Sequence, residues 1–167
     1  MPLSPQEYAD VNDSVLFQAI KQSNWEETRR LLKMKDAKET KTTTTTIDEA
    51  TSSLVQDVDQ YGNTPLHAAL GYQAPDDILM QLLHIYPAAT KVHGTEDWTP
   101  LHVASMWGCS TVVLTALITA HPHALDDAGQ GGLKGRTPRH FRHRFPALQP
   151  LLDRSTDEWI SLIQQQN

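Results

Sequence analysis

Thr64-Pro65-Leu66-His67-Ala68-Ala69 returns thirty-five residues later as Thr99-Pro100-Leu101-His102-Val103-Ala104. At the same offset, nine positions are identical within the thirty residues from Gln60 to Ala89, among them Leu79/Leu114, Leu82/Leu117, Pro87/Pro122 and Ala89/Ala124. The offset never slips, so both copies share one internal geometry. A chain that repeats itself at such a period builds an array of small units rather than one continuous core.

Each copy reads as a helix–turn–helix unit. Thr64-Pro65 and Thr99-Pro100 are helix starts, a hydroxyl at the cap followed by a proline whose missing N–H costs nothing there. Leu66, Ala69 and Leu70, and then Leu101, Ala104 and Ser105, form apolar stripes at helical spacing. Small residues at Ala69 and Ala104 predict a close helix neighbour. Breaks follow at Ala74-Pro75 and at Gly108, and second helices run over 76–85 and 110–120 until Pro87 and Pro122.

The Thr-Pro-Leu-His motif and its period resemble the start of an ankyrin repeat. The turn Asp59-Gln60-Tyr61-Gly62-Asn63 is similar to that family's hairpin, whereas the second copy carries Gly94 and Asp97 in place of the Asp and Gly, which predicts a remodelled tip. The resemblance covers about residues 13–152 and is strongest over 59–126. Leu16, Ala19 and Leu32 keep the repeat's spacings, so 13–34 reads as an N-terminal cap helix pair with polar Lys21, Arg29 and Arg30. Thr137-Pro138-Arg139-His140 is a decayed third copy, with Arg142 at the small-residue position and Pro146 early. A last helix follows, with Ser155 and Glu158 as a capping box and an apolar face of Trp159, Ile160, Leu162 and Ile163. The implied fold is all-α: a short ankyrin-type solenoid of helix pairs joined by hairpin-like loops. Its parts are a tail (1–12), the cap pair (13–34), a Thr-rich flexible insertion (35–58), two repeats (59–93 and 94–128), a degenerate repeat (129–152) and a capping helix (153–167). The insertion is polar and of low complexity and cannot offset its ordering entropy, and its hydroxyls read as candidate phosphorylation sites.

Composition narrows the function. Hydrophobic residues make up 39% of the 167 residues and the net charge is −6, which does not suit coating nucleic acid or anionic lipid. The longest apolar stretch, 112–120, is too short to cross a bilayer, and the N-terminus lacks the apolar core of a secretory signal. The single cysteine, Cys109, allows no intramolecular disulfide. These features lead us to expect a cytoplasmic monomer, with the nucleus as the alternative, and no membrane partner.

Eight histidines invite a metal or catalytic reading. Yet His67, His102 and His140 stand at the fourth motif position, where the resemblance implies a structural bond to the cap Thr. His121 and His123 flank Pro122 at a helix end, and His143 lies among basic neighbours. No metal site and no cofactor is expected. Cys109 follows Gly108 at an inter-helix turn and reads as a small turn residue. Gly129 to Gly132 lacks the strand and the Gly-Lys-Ser/Thr ending of a phosphate loop. Lys134, Arg136, Arg139, Arg142 and Arg144 crowd 134–144 without an acid. That stretch reads as a solvated face, a docking patch for an acidic partner, or a nucleic-acid or nuclear-import signal.

The resemblance implies binding through hairpin tips and the open side of the first helices. The corresponding residues are Gln60, Tyr61, Asn63 and Tyr72 in the first repeat, Thr95, Glu96, Trp98, Met106 and Trp107 in the second, and Arg136 beyond. Trp, Tyr and Met carry binding energy at interfaces, although Trp98 and Trp107 could equally cover the core. The expected function is a non-catalytic protein–protein interaction module or adaptor. The alternatives are a regulatory ankyrin subunit of a larger enzyme or channel assembly, and an enzyme with an unrecognised site.

Overall fold

A computed structural model of the chain describes residues 14–33, 49–129 and 135–166. The described residues are helical, with no strand among them. The helices are α1 (Val15–Lys21), α2 (Trp25–Lys33), α3 (Glu49–Gln56), α4 (Pro65–Gly71), α5 (Asp76–Ile85), α6 (Pro100–Trp107), α7 (Thr111–Ala120), α8 (Gln149–Asp153) and α9 (Thr156–Gln165). Short 3-10 turns at Pro87–Lys91, Thr95–Asp97, Pro122–Asp126 and Pro138–Phe141 punctuate them.

Contacts arrange these elements in two rows. α1, α4, α6 and the Pro138–Phe141 turn touch in that order, and α2, α5, α7 and α9 form the second row behind them. Within each pair, α1 packs on α2, α4 on α5 and α6 on α7. Ala69 and Ala104 are fully buried where α4 meets α6, as their small size requires. Leu66, Leu70, Ile78, Leu82, Leu101, Leu114, Leu117 and Ile118 fill the space between the rows. The two Thr-Pro starts and the stops at Pro87 and Pro122 lie where the sequence puts them.

Three sequence expectations need correction. Residues 49–56 are helical, not part of a flexible insertion, because Leu54 and Val55 pack on α1, α4 and α5 and Val55 is buried. The apolar face of α9 is narrower than its sequence suggests. Only Trp159 is buried, its Nε1 donating to the Leu151 carbonyl at 3.1 Å, while Ile160, Leu162 and Ile163 are half-buried. Arg29 is not merely a polar surface residue: its guanidinium grips Asp77 at 2.6 and 3.1 Å and joins α2 to α5. Residues 1–13, 34–48 and 130–134, with the tail, the Thr-rich run and Lys134, lie outside the described residues.

The end of the array is held by Arg139, which occupies the motif position filled earlier by Leu66 and Leu101. Its guanidinium donates to Asp126 Oδ1 (2.8 Å), to the carbonyls of Leu152 and Arg154, and to Thr156 Oγ1 (3.2 Å). Thr156 Oγ1 also donates to Asp126. Ser155 and Glu158 form the expected capping box, with Glu158 N to Ser155 Oγ at 3.2 Å and Ser155 N to Glu158 Oε2 at 2.8 Å. Removing residues 155–167 takes Thr156 out of this clamp and strips α9 from α7 and the Pro122–Asp126 turn, whose Leu117 and Leu125 are buried. We expect the melting temperature to fall by at least about 5 °C in a thermal scan. An unchanged curve would mean that α9 covers nothing of consequence.

Candidate functional site

The histidines are committed first. His67 Nε2 lies 3.0 Å from the Trp98 carbonyl, and that oxygen can only accept, so the ring carries its proton on Nε2. Nδ1 then holds the lone pair, which accepts from the Thr64 backbone N–H (3.2 Å) and the Thr64 hydroxyl (2.9 Å). His102 repeats this arrangement with Thr99 (3.2 and 2.9 Å) and the Arg136 carbonyl (3.1 Å). Each ring therefore spans two successive units. Both are buried, and burial is the main cause that lowers their pKa, to about 4 for His67. A second proton would also put two donors face to face at Nδ1. His140 makes the same Thr137 bonds (2.9 and 3.1 Å), but its ring is exposed.

These ties fix the hairpin tips. At the first tip, Asp59 Oδ1 accepts from the Tyr61 and Asn63 backbone N–H groups, both at 2.9 Å, and Gly62 takes a φ of 80°. Asn63 reaches onward to the next tip: its Oδ1 accepts from Thr95 N (2.9 Å) and its Nδ2 donates to Thr95 Oγ1 (2.8 Å). A Cβ built on Gly94 would lie 2.3 Å from Asn63 Oδ1. The Asp-to-Gly departure thus makes room for the neighbouring tip's amide. The remodelled tip puts Glu96 and Asp97, neither of them glycine, at φ 62° and 58°. His93 Nε2 meets Asp127 Oδ2 at 2.7 Å and ties the approach to the second tip to the end of the Pro122–Asp126 turn.

Between the first two tips and the first-helix row lies a groove of about 420 Å³. Eight of the ten expected binding residues line it: Gln60, Tyr61, Asn63, Tyr72, Thr95, Glu96, Trp98 and Trp107. Met106, half-buried, and Arg136, which gives its carbonyl to His102, lie outside it. The structure shows both roles expected for Trp98, groove lining and core contact. Trp98 is 9% exposed, stacked on His102 at 5.8 Å and tilted on Phe141 at 5.7 Å, so it forms the groove's floor and belongs to the core. Tyr61, Tyr72 and Trp107 are 61%, 43% and 54% exposed, and they present the free aromatic surface. Asn63 and Thr95 line the wall but are engaged with each other. Sequence reasoning missed Lys21, Asp59, His67, Ala68, Gly71 and Val103 in the lining. Of these, Ala68 and Val103 carried a readable signal, since each follows the motif His on its helix, α4 or α6.

The basic stretch is not a run of free cations. Arg139 is held as described, and Arg142 pairs with Asp153 at 3.2 Å, so the fold supplies the acids that the local sequence lacks. Burial pushes the Cys109 thiol up to about 12, which leaves no thiolate to act as a nucleophile near neutral pH. Among the described residues no group of three or more His, Cys, Asp or Glu side chains is placed to hold a metal ion, and no helix is long and apolar enough to cross a membrane. Comparison with family models, curated proteins and solved structures finds no significant match.

Two outcomes follow. Below the ordinary imidazole value of 6.5, the unfolded His67 ring takes up a proton that the folded ring refuses until about pH 4. Stability that is full above pH 6.5 is therefore lost as pH falls through this window, by up to about 3 kcal/mol for this one ring. Urea titrations at stepped pH measure this; His102→Ala should be less stable than wild type by about 1–3 kcal/mol at neutral pH and should show a shallower slope. A pH-independent midpoint between 6.5 and 4 would contradict the neutral-ring assignment. Gly94→Ala should destabilise by about 1–3 kcal/mol, and less when Asn63 is also alanine, because the 2.3 Å clash goes with the amide and only the 3.2 Å contact with the residue 63 Cα remains. Equal costs in both backgrounds would place the defect elsewhere.

Proposed function

We propose that this chain is a non-catalytic protein-interaction module of the ankyrin-repeat type, which takes a protein partner in the groove between its first two hairpin tips. One observation carries the reading: Tyr61, Tyr72 and Trp107 stand exposed around a single groove, each from a different loop or helix end, although nothing in the core requires them outside. Exposed aromatics gathered on one concave surface are the anchors that interfaces use. The 35-residue repeat, the Thr-Pro-Leu-His ties and the two helix rows support the ankyrin assignment. The polar groups that could have performed chemistry already have structural work. His67 and His102 are ties, Asp59 closes a turn, and Cys109 is held as a thiol.

The partition between Trp98 and Trp107 gives the test. Trp107→Ala combined with Tyr72→Ala should leave the melting temperature within about 3 °C of wild type and abolish recovery of the partner in a cross-linking pull-down. Trp98→Ala should instead cost about 3–5 kcal/mol of stability. Undiminished capture by the Tyr72/Trp107 variant would rule out the groove.

A further inference from the structure

The first-helix row has a notch in it. At the 35-residue offset Gly71 stands where α6 carries Met106, and with Leu16 aligned to Leu66 it stands where α1 carries Lys21. The helices α1, α4 and α6 touch in that order, so the middle one lacks a side chain where both neighbours have a long one. Nothing among the described residues asks for this glycine. Its φ is outside the left-handed region, and a Cβ built on it would meet nothing within 4 Å. Glycine in a helix costs stability relative to alanine, and one that neither backbone nor packing requires leaves room for another chain to come close. Gly71 lines the groove with Ala68 and Val103, and the exposed Tyr61, Tyr72 and Trp107 surround them.

Shape and charge select the occupant. The groove holds about 420 Å³, and a single turn of α-helix, about 10 Å across and about 5.4 Å high, already takes up roughly that volume. A helical partner would seat one turn and lose the i, i+3, i+4, i+7 anchors by which a groove reads a helix. No strand lies among the described residues, so an extended segment finds no sheet edge to join. The lining sets Asp59 and Glu96 against Lys21, and all three already interact within the chain. A groove so close to neutral suits an uncharged segment. Aromatic ridges beside a notch suit polyproline II, a preformed helix without internal hydrogen bonds whose carbonyls must find donors outside it. Tyrosine hydroxyls and the tryptophan N–H are such donors. We propose that the groove takes an uncharged, proline-rich segment of its partner in the polyproline II conformation, with one proline or apolar side chain seated over Gly71 between Tyr72 and Trp107. This rests on the reading of the groove as a protein-binding site.

The experiment uses the full chain and two short fluorescein-labelled peptides, one built of Pro-Pro-Leu repeats and the other of Gly-Gly-Leu repeats. Anisotropy titrations give the affinities, and amide chemical-shift changes locate the contact. The proline peptide should bind at least about tenfold tighter, because the free glycine chain has more conformational entropy to lose. Raising salt from about 50 to about 300 mM should leave its affinity unchanged. The shift changes should centre on residues 68–72, 103 and 107. Gly71→Met, which copies position 106 and fills the notch, should leave the melting temperature unchanged or raise it by about 1–4 °C, and should weaken proline-peptide binding at least about tenfold. Equal binding of the two peptides, with both lost in Tyr72→Ala/Trp107→Ala, would overturn the polyproline assignment and leave the groove reading standing. So would full-strength binding of the proline peptide to Gly71→Met with shift changes still in the groove. Full-strength binding to Tyr72→Ala/Trp107→Ala, or shift changes elsewhere, would overturn both. A failure of both peptides to bind at about 1 mM would overturn the polyproline assignment alone, because partner capture tests the groove separately.

Discussion

The imidazoles of His67 and His102 each carry one buried hydrogen bond across a boundary that is otherwise spanned by apolar packing and by more exposed links such as Asn63 to Thr95 and His93 to Asp127. Nδ1 accepts inside one unit, from the threonine that starts its first helix, and Nε2 donates to a carbonyl of the next. Only the neutral ring with its proton on Nε2 satisfies both ends. The tie from His67 lands on the Trp98 carbonyl, which also accepts from Gly94 N at 2.9 Å. One ring thus sets the distance between the first helix of one unit and the closed tip of the next, and the groove is the space so defined.

From that constraint the other residues sort themselves. Trp98, its backbone held by His67 and its ring stacked on His102, can only be floor. Trp107, at the far end of α6, is under no such obligation and stays in solvent. Asn63 and Thr95 complete the tip-to-tip connection where the glycine at position 94 admits them. The tips are therefore held at a set spacing, which would favour the proposed binding because little ordering entropy would remain to be lost.

The helix pairs were readable in the sequence because they depend on local chemistry, namely a hydroxyl cap, a proline at the first turn, apolar spacing and a proline stop. The His67 and His102 ties followed from the motif that carries them. What escaped depends on residues distant in the chain. Glu49–Gln56 is mostly polar and helical because Leu54 and Val55 find cover on α1, α4 and α5, which no local pattern announces. Trp98 and Trp107 are alike as letters, and only Phe141 and His102, brought in by folding, separate them. Arg139 and Arg142 look like members of a free basic patch until Asp126 and Asp153 are placed beside them. Lys21 enters the groove from a helix some forty residues before its first tip.

The most direct measurement is nitrogen-15 NMR of the histidine rings through their long-range couplings to the ring protons, followed across pH. For His67 and His102 it should show a protonated Nε2 and a bare Nδ1 at neutral pH, and the buried His67 ring should keep that state well below the ordinary imidazole value of 6.5. Rings at His67 and His102 that carry the proton on Nδ1, or a His67 ring that takes up a second proton at the ordinary imidazole value, would contradict the ties on which the whole arrangement depends.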